Sequence, residues 1–309
     1  MTETTVSVSD RIEICYQTFG DRTDPTVLLV MGLAGPMGWW SVDLCEALAA
    51  RGYHVIRFDN RDTGASTKLR EQRVNRSDII RAFVGDHGRA AYTMSDLADD
   101  GFGLLDALDI ESCHVVGASM GGMIAQTMAI EHPERVRSLT SIMSTTGRRT
   151  VGWQHPKLIP ALLARTGPTR GAYVERSIRT QQLLGTSTFP APIAELRARA
   201  EETYDRGWSA SGVLRQMLAV LCQPDRTNDL ERLDLAACVI HGLEDPLVHP
   251  SGGRATAQAI RASELVLIPG LGHDLPAQLT TMFVDAIDRT AQRGDQDSAR
   301  ARNSDSASS

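Results

Sequence analysis

The chain has 309 residues, of which 42% are hydrophobic and 23% are charged, a balance typical of globular proteins. The formal net charge is −6, and the sequence contains no basic stripe or polybasic run. These features argue against a nucleic-acid partner and against binding to an anionic membrane surface.

The five cysteines form no C-x-x-C pair and lie mostly in apolar runs, which predicts free, buried thiols in a reducing compartment. The N-terminal residues show no basic region followed by an apolar stretch, so no signal peptide is visible. No apolar run is long enough to span a bilayer. We therefore expect a cytoplasmic protein without an integral membrane segment. No pattern in the sequence indicates an oligomeric state.

The N-terminal part alternates predicted strands and helices. Residues 6–19 alternate apolar and polar side chains and predict an antiparallel hairpin, whereas residues 26–31 form a continuous apolar run typical of a doubly buried strand. The next elements are a helix over 41–51, a strand over 54–58, a polar loop over 59–66, a poorly periodic stretch over 68–92, and a helix over 95–108 with Ser95 as its N-cap. This alternation indicates a parallel α/β sheet.

The segment 113–123 predicts a short strand, a sharp turn and the start of a helix. Within it, Gly117, Ser119 and Gly121 fit the G-x-S-x-G pattern of a nucleophile elbow. The small residues on either side of the serine allow neighbouring backbone to pass closely. The helix after the turn directs its N-terminal N–H groups at the place where negative charge would develop.

The alternation of predicted strands and helices ends after a strand over 136–143. Residues 147–223 read as helical stretches separated by prolines, and we interpret them as an inserted helical lid. The alternation resumes with a strand over 237–241, a helix over 254–260, a strand over 265–268 and a helix over 275–291. Residues 1–146 and 224–292 would then form the core, and residues 293–309, which are almost without apolar side chains, a disordered tail.

An acid and a histidine follow the last two predicted strands. Asp245 comes just after the strand over 237–241, and His273 lies in a glycine-rich loop after the strand over 265–268. Ligands of open α/β sheets bind beyond the carboxyl ends of the strands, where Ser119 also falls. Glu244 is an alternative acid, although its side chain is longer than the gap requires; Asp274 reads as a helix N-cap.

These residues suit nucleophilic catalysis by a serine that an adjacent histidine activates. His273 would remove the proton from the Ser119 hydroxyl and return it to the leaving group, while Asp245 would orient the imidazole. The N–H groups of Leu33 and Met120 are the expected oxyanion donors. No His, Cys, Asp or Glu cluster has metal-ligand spacing, so we predict no metal. We also expect no organic cofactor.

Taken together, the motifs resemble those of the α/β-hydrolase superfamily, and in particular aclacinomycin methylesterase-type and related actinobacterial lipase/esterases. The resemblance spans residues 6–292 and rests on segments 31–33, 59–64, 117–122, 242–245 and 272–274. It implies a mostly parallel eight-stranded sheet with an inserted helical lid, a triad of Ser119, Asp245 and His273, and an oxyanion hole at Leu33 and Met120.

The leading hypothesis is therefore a serine carboxylesterase or lipase-type hydrolase that cleaves small-molecule esters through an acyl-enzyme. Thioesterase, carbon–carbon bond hydrolase and perhydrolase activities use the same triad and remain alternatives. A non-catalytic binding module on the same fold is the competing class, because a fold alone does not imply chemistry.

Overall fold

A computed structural model of the chain describes residues 2–83, 85, 90–158, 167, 169–186 and 188–307. Eight strands of these residues form one sheet in the order β1-β2-β4-β3-β5-β6-β7-β8. The strands are Thr4–Ser9 (β1), Ile12–Phe19 (β2), Thr26–Val30 (β3), His54–Phe58 (β4), Cys113–Ala118 (β5), Val136–Ile142 (β6), Ala236–Gly242 (β7) and Glu264–Ile268 (β8). The pairings β1–β2 and β2–β4 are antiparallel and the others parallel, which confirms the predicted fold class.

Helices cover both faces of the sheet. In the described residues they are Val42–Ala49 (α1), Arg76–Phe83 (α2), Met94–Ala107 (α3), Met120–Glu131 (α4), Arg170–Leu184 (α5), Ile193–Asp205 (α6), Ala210–Cys222 (α7), Thr227–Leu230 (α8), Ser251–Ala259 (α9) and Thr280–Ala307 (α10). None of these helices combines the length and the apolar composition that crossing a membrane requires.

Strand β3 shows why a continuous apolar run is needed at the centre of the sheet. Leu28 and Val30 belong to the core on the α3 and α4 face, whereas Val27 and Leu29 belong to the core on the α1 and α10 face. Successive side chains of a strand point to opposite faces, so a strand covered on both sides is apolar at every position.

The predicted lid lies between β6 and β7. Its described residues form α5, α6 and α7 and contain no strand, while residues 159–166, 168 and 187 lie outside the described part. Helices α5 and α6 share a small apolar core of their own, made of Val174, Ile178, Leu196 and Ala200. Helix α7 instead packs on α2, which the sequence suggests only as a short helix within a loop.

The last helix continues to Ala307, where the sequence predicts a disordered tail from residue 293. At Gly294 a Cβ would overlap the carbonyl oxygen of Arg137, so the helix passes directly against β6. The next residue, Asp295, forms an ion pair with Arg137 and lies 3.2 Å from Nε2 of His114. A polar side chain of the segment predicted to be disordered thus contacts the amino ends of β5 and β6.

Two predicted helix caps are wrong. The N-cap of α3 is Thr93, whose side chain accepts a hydrogen bond from the N–H of Asp96 while the Asp96 carboxylate accepts one from Thr93. Ser95 instead donates to Glu131. Asp274 caps no helix either, because the chain first makes a short 3-10 turn over Ala277–Leu279, and α10 begins only at Thr280.

Candidate active site

Ser119 lies between the end of β5 and the first residue of α4, in a backbone conformation of φ 57° and ψ −119°. Such a conformation is strained for a residue with a side chain and needs support from its surroundings. The Ser119 N–H donates to the carbonyl of Ile142 at 2.8 Å, and the Ser144 hydroxyl donates to the Ser119 carbonyl at 2.8 Å. A Cβ at Gly117 would overlap the carbonyl of Gly121, which explains the first glycine of the motif.

The structure brings the serine, the histidine and the acid together. Nε2 of His273 lies 2.9 Å from Oγ of Ser119, and Nδ1 of His273 lies 2.7 Å from Oδ2 of Asp245. All three residues follow the carboxyl ends of their strands, as the topology of a parallel sheet requires. The three side chains therefore form one continuous hydrogen-bonded chain from hydroxyl to carboxylate.

The Asp245 carboxylate is buried and held at both oxygens. Its Oδ1 accepts hydrogen bonds of 2.9 Å from the backbone N–H groups of Leu247 and Val248, which leaves Oδ2 directed at His273. Burial raises the pKa of Asp245, but the imidazoles of His273 and His241 outweigh burial and hold that pKa well below its ordinary value. The Asp245 carboxylate therefore carries a negative charge next to Nδ1 of His273.

The alternative acid, Glu244, is exposed, and its backbone N–H donates to the carbonyl of Leu271 at 3.0 Å. Its neighbour Asp245 is only 5% exposed and is the residue in contact with His273. The geometry thus favours the aspartate.

The loop that carries His273 is attached to the inserted helices. The backbone N–H of His273 donates to the carbonyl of Leu184, the last residue of α5, at 2.6 Å. At Gly272 a Cβ would overlap the carbonyl oxygens of Leu184 and Gly185, so the two segments are in direct backbone contact. The position of the imidazole therefore depends on the end of α5.

The loop after β3 passes beside the serine. A Cβ on Gly32 would lie 3.0 Å from Cβ and 3.6 Å from Oγ of Ser119, so a larger residue would crowd the hydroxyl. Leu33 follows directly and is partly exposed. Met120 is the first residue of α4, and the N–H groups of a first helical turn have no partner within the helix. Both predicted donors thus belong to segments that adjoin Oγ of Ser119.

A comparison with known proteins agrees with this architecture. The family model for the alpha/beta hydrolase fold matches residues 25–277, which include all five predicted site residues. The chain belongs to this family. The fold predicted from the motifs is thereby confirmed.

Several relatives of this α/β hydrolase are known. The rhodomycin D methylesterase DauP of Streptomyces sp. (strain C5) is 27% identical over 305 residues, covering 92% of this chain and 96% of that protein. The enol-lactonase from Burkholderia xenovorans LB400 has a TM-score of 0.71 at 20% identity, covering 93% of this chain and 99% of that one. A meta-cleavage product hydrolase from Pseudomonas fluorescens IP01 has a TM-score of 0.70 at 20% identity, covering 90% and 94%. At this identity the two structures bear on the fold alone.

Three further polar residues of this α/β hydrolase reach the site without being predicted as site residues. His241 is completely buried, donates from Nε2 to the carbonyl of Val248 at 2.8 Å, and lies 3.4 Å from Oδ2 of Asp245. Asn60 and Gln216 both bond to the loop after β3. His241 could have been found from the sequence, because it lies four positions before Asp245. Gln216 gives only a weak sequence signal, as a lone glutamine within an apolar helical stretch.

The carboxylate next to the imidazole has an unusual environment. Asp274 is partly buried, and its Oδ1 has no hydrogen-bond partner among the residues that the structure describes. Burial raises the pKa of Asp274 to about 6, although the nearby charges of His273 and Arg199 act in the opposite direction.

No group of three or more His, Cys, Asp or Glu side chains in the described ranges is arranged to hold a metal ion. A cavity of about 290 Å³ lies away from the triad, and its lining includes Tyr92, Thr127, Ala219 and Arg226. None of the five predicted site residues lines that cavity.

Proposed function

We propose that this protein hydrolyses carboxylic esters through an acyl-enzyme, with Ser119 as the nucleophile. The observation that carries the proposal is the unbroken hydrogen-bonded chain of Ser119, His273 and Asp245, with contacts of 2.9 and 2.7 Å. A serine hydroxyl needs an adjacent base to attack at neutral pH, and this base is itself oriented by a buried acid.

In this mechanism Nε2 of His273 takes the proton as Oγ of Ser119 forms a bond to the carbonyl carbon. The Asp245 carboxylate keeps the proton of the imidazole on Nδ1, so that Nε2 is free to accept, and then stabilises the imidazolium. The imidazolium returns its proton to the departing alcohol as the ester bond breaks. Water, deprotonated by the same imidazole, then releases the acid and restores the serine.

The tetrahedral intermediate carries a negative oxygen that needs donors. We assign this role to the backbone N–H groups of Leu33 and Met120, on the loop beside Ser119 and at the start of α4. The inserted segment 147–223 is proposed to act as the lid of the site. The contact between Leu184 and the His273 loop supports this assignment.

The ester class draws support from a sequence relative that covers 92% of the chain and is named as a methylesterase. Methyl esters of larger acids therefore belong in the substrate panel beside p-nitrophenyl esters from acetate to laurate. Acyl-CoA thioesters run in the same panel separate an esterase from a thioesterase, and a vinylogous diketone reports carbon–carbon cleavage.

The test of the nucleophile is covalent labelling with a fluorophosphonate probe. Wild-type protein should be labelled at Ser119, as located by mass spectrometry of the labelled peptide, and Ser119→Ala should remain unlabelled. The Ser144→Ala variant is the matched control, because that hydroxyl donates to the Ser119 carbonyl and is outside the proposed triad, so this variant should still be labelled at Ser119. Folded wild-type protein that takes up no label would favour the non-catalytic binding module.

A further inference from the structure

Gln216 connects the inserted helix α7 to two loops of the core. Its side chain is completely buried and makes three hydrogen bonds outside its own helix. Oε1 accepts from the N–H of Ala34 at 2.8 Å, and Nε2 donates to the carbonyl of Arg61 at 2.9 Å and to the hydroxyl of Thr63 at 2.8 Å.

The orientation of this amide is fixed by its partners. The N–H of Ala34 can only donate, and the carbonyl of Arg61 can only accept, so exchanging the oxygen and nitrogen of Gln216 would lose both bonds. A buried donor or acceptor left without a partner is costly, and the three bonds therefore select one position of the Ala34 N–H.

The bond to Ala34 lies one peptide away from the proposed oxyanion donor. The donor N–H of Leu33 belongs to the peptide between Gly32 and Leu33, whose carbonyl accepts from the N–H of Gly35 at 3.2 Å. In a trans peptide the N–H points away from the carbonyl, so this turn directs the Leu33 N–H to the opposite side. Ala34, in the same turn, has a positive φ of 61°.

The peptides on both sides of that donor are held by side chains. Asn60 donates from Nδ2 to the carbonyl of Met31 at 2.8 Å, and Gln216 accepts from the N–H of Ala34. The positive φ of Ala34 is unfavourable for a residue with a Cβ and needs such external contacts to persist. Without Gln216, the side-chain bond that remains between the described residues is that of Asn60 on the Met31 side of the donor.

We propose that Gln216 is a positioning residue that fixes the direction of the Leu33 N–H toward the oxyanion. The inference rests on the proposed ester hydrolysis and adds to it that an inserted helix, rather than the core alone, sets the oxyanion hole. Attachment of the helix does not depend on Gln216, because the neighbouring Arg215 forms a buried, two-point ion pair with Asp62 at 2.6 and 2.7 Å.

The test compares Gln216→Met with wild type in the full-length protein. Methionine has a similar length but neither accepts from Ala34 nor donates to Arg61. We expect kcat on a p-nitrophenyl ester to fall about 10- to 100-fold with little change in KM, less than the roughly 10²- to 10³-fold loss typical of removing a donor outright. Thr63→Val removes one of the three bonds and should lower kcat about two- to tenfold.

Two measurements separate positioning from a general structural role. End-point titration with a fluorophosphonate counts folded sites, so a positioning defect slows the reaction of each site while the titratable fraction stays near that of wild type. The control is Gln17→Met, which removes another buried glutamine, bonded to Arg57 at 3.0 Å in the antiparallel part of the sheet. This control should retain the wild-type kcat.

The outcomes are distinct. If Gln216→Met titrates fully and keeps the wild-type kcat, the role of Gln216 is overturned while the proposed hydrolysis stands. If Gln216→Met does not fold, an unchanged kcat in Thr63→Val overturns the inference, and a reduced kcat with full titration supports it. Wild-type protein that neither labels nor hydrolyses any ester overturns the proposed function and this inference together.

Discussion

Oδ2 of Asp245 lies 2.7 Å from Nδ1 of His273, and the Asp245 side chain is inaccessible to solvent. Replacing this carboxylate with an amide in Asp245→Asn should lower kcat by about 10⁴-fold, because the amide favours the wrong imidazole tautomer and cannot stabilise an imidazolium. Steady-state hydrolysis of a p-nitrophenyl ester measures the loss.

The matched control for that variant is Glu244→Gln, which changes the exposed neighbouring carboxylate. Its kcat should stay within about threefold of wild type, as expected for a solvated group outside the triad. The opposite ranking of the two variants would identify Glu244 as the acid and contradict the assignment of Asp245.

The backbone conformation of Ser119 should reduce the stability of the folded protein. Its φ of 57° and ψ of −119° are strained for any residue with a Cβ and accessible to glycine. Both Ser119→Gly and Ser119→Ala should be inactive. The free energy of unfolding of the glycine variant should exceed that of the alanine variant by about 1 kcal/mol, because glycine relieves the backbone strain and this gain is larger than the entropic cost of ordering a glycine. Urea unfolding of the two variants tests the difference, and equal stabilities would show that the elbow stores no strain.

Arg215 of α7 and Asp62 of the core form a buried ion pair. Both side chains of Arg215 and Asp62 are inaccessible to solvent, and Tyr92 donates to the same carboxylate at 2.9 Å. Arg215→Met would leave the carboxylate buried without its cation, and we expect a loss of about 3–5 kcal/mol in the free energy of unfolding.

The comparison for Arg215 is Arg197→Met, which breaks the pair of Arg197 with Glu175 at 2.8 Å on the surface of the insert. Because both of these side chains are about half exposed, the loss should be below about 1 kcal/mol. Similar losses in the two variants would mean that the buried pair contributes no more than a solvated one.

The pH dependence of stability should carry a contribution from Asp274. Because burial raises its pKa to about 6 from an ordinary value of 3.8, the folded protein binds a proton that the unfolded chain releases between these values. Wild-type stability therefore loses this contribution as pH rises from about 4 to about 6. Asp274→Asn should match wild type near pH 4 and exceed its melting temperature above pH 6. A difference that stays constant from pH 4 to 8 would contradict the assignment.

The fold could be predicted because its signals are local. The apolar run of β3 and the strand-turn-helix pattern around Ser119 specify doubly buried strands and an elbow without reference to distant residues. The continuation of α10 could not be predicted in this way. It depends on contacts of Gly294 and Asp295 with Arg137, more than 150 positions earlier, whereas composition describes only the segment itself.

Ser119, Asp245 and His273 were likewise accessible to sequence reasoning, because each follows a recognisable strand and parallel strands end at one edge of the sheet. Gln216 was not. Its proposed role rests on the hydrogen bond that it accepts from Ala34, and that contact depends on tertiary packing of an insert whose own sequence shows only helical periodicity. A lone glutamine in an apolar helical stretch indicates at most a buried polar group, and the sequence does not indicate which distant backbone N–H donates to it.

The carbonyl of Leu184, in the insert, accepts a hydrogen bond from the backbone of His273, in the core. Since a carbonyl is present at every position, chain path rather than residue type decides whether this bond forms. Consider a chimaera in which residues 147–223 come from another hydrolase. The grafted helix that replaces α5 would have to end where α5 ends, so that its last carbonyl could accept the hydrogen bond from the His273 N–H. To exchange substrate preference between such enzymes, the length of the grafted helix should therefore be matched to that of α5 before the residues that line the pocket are chosen.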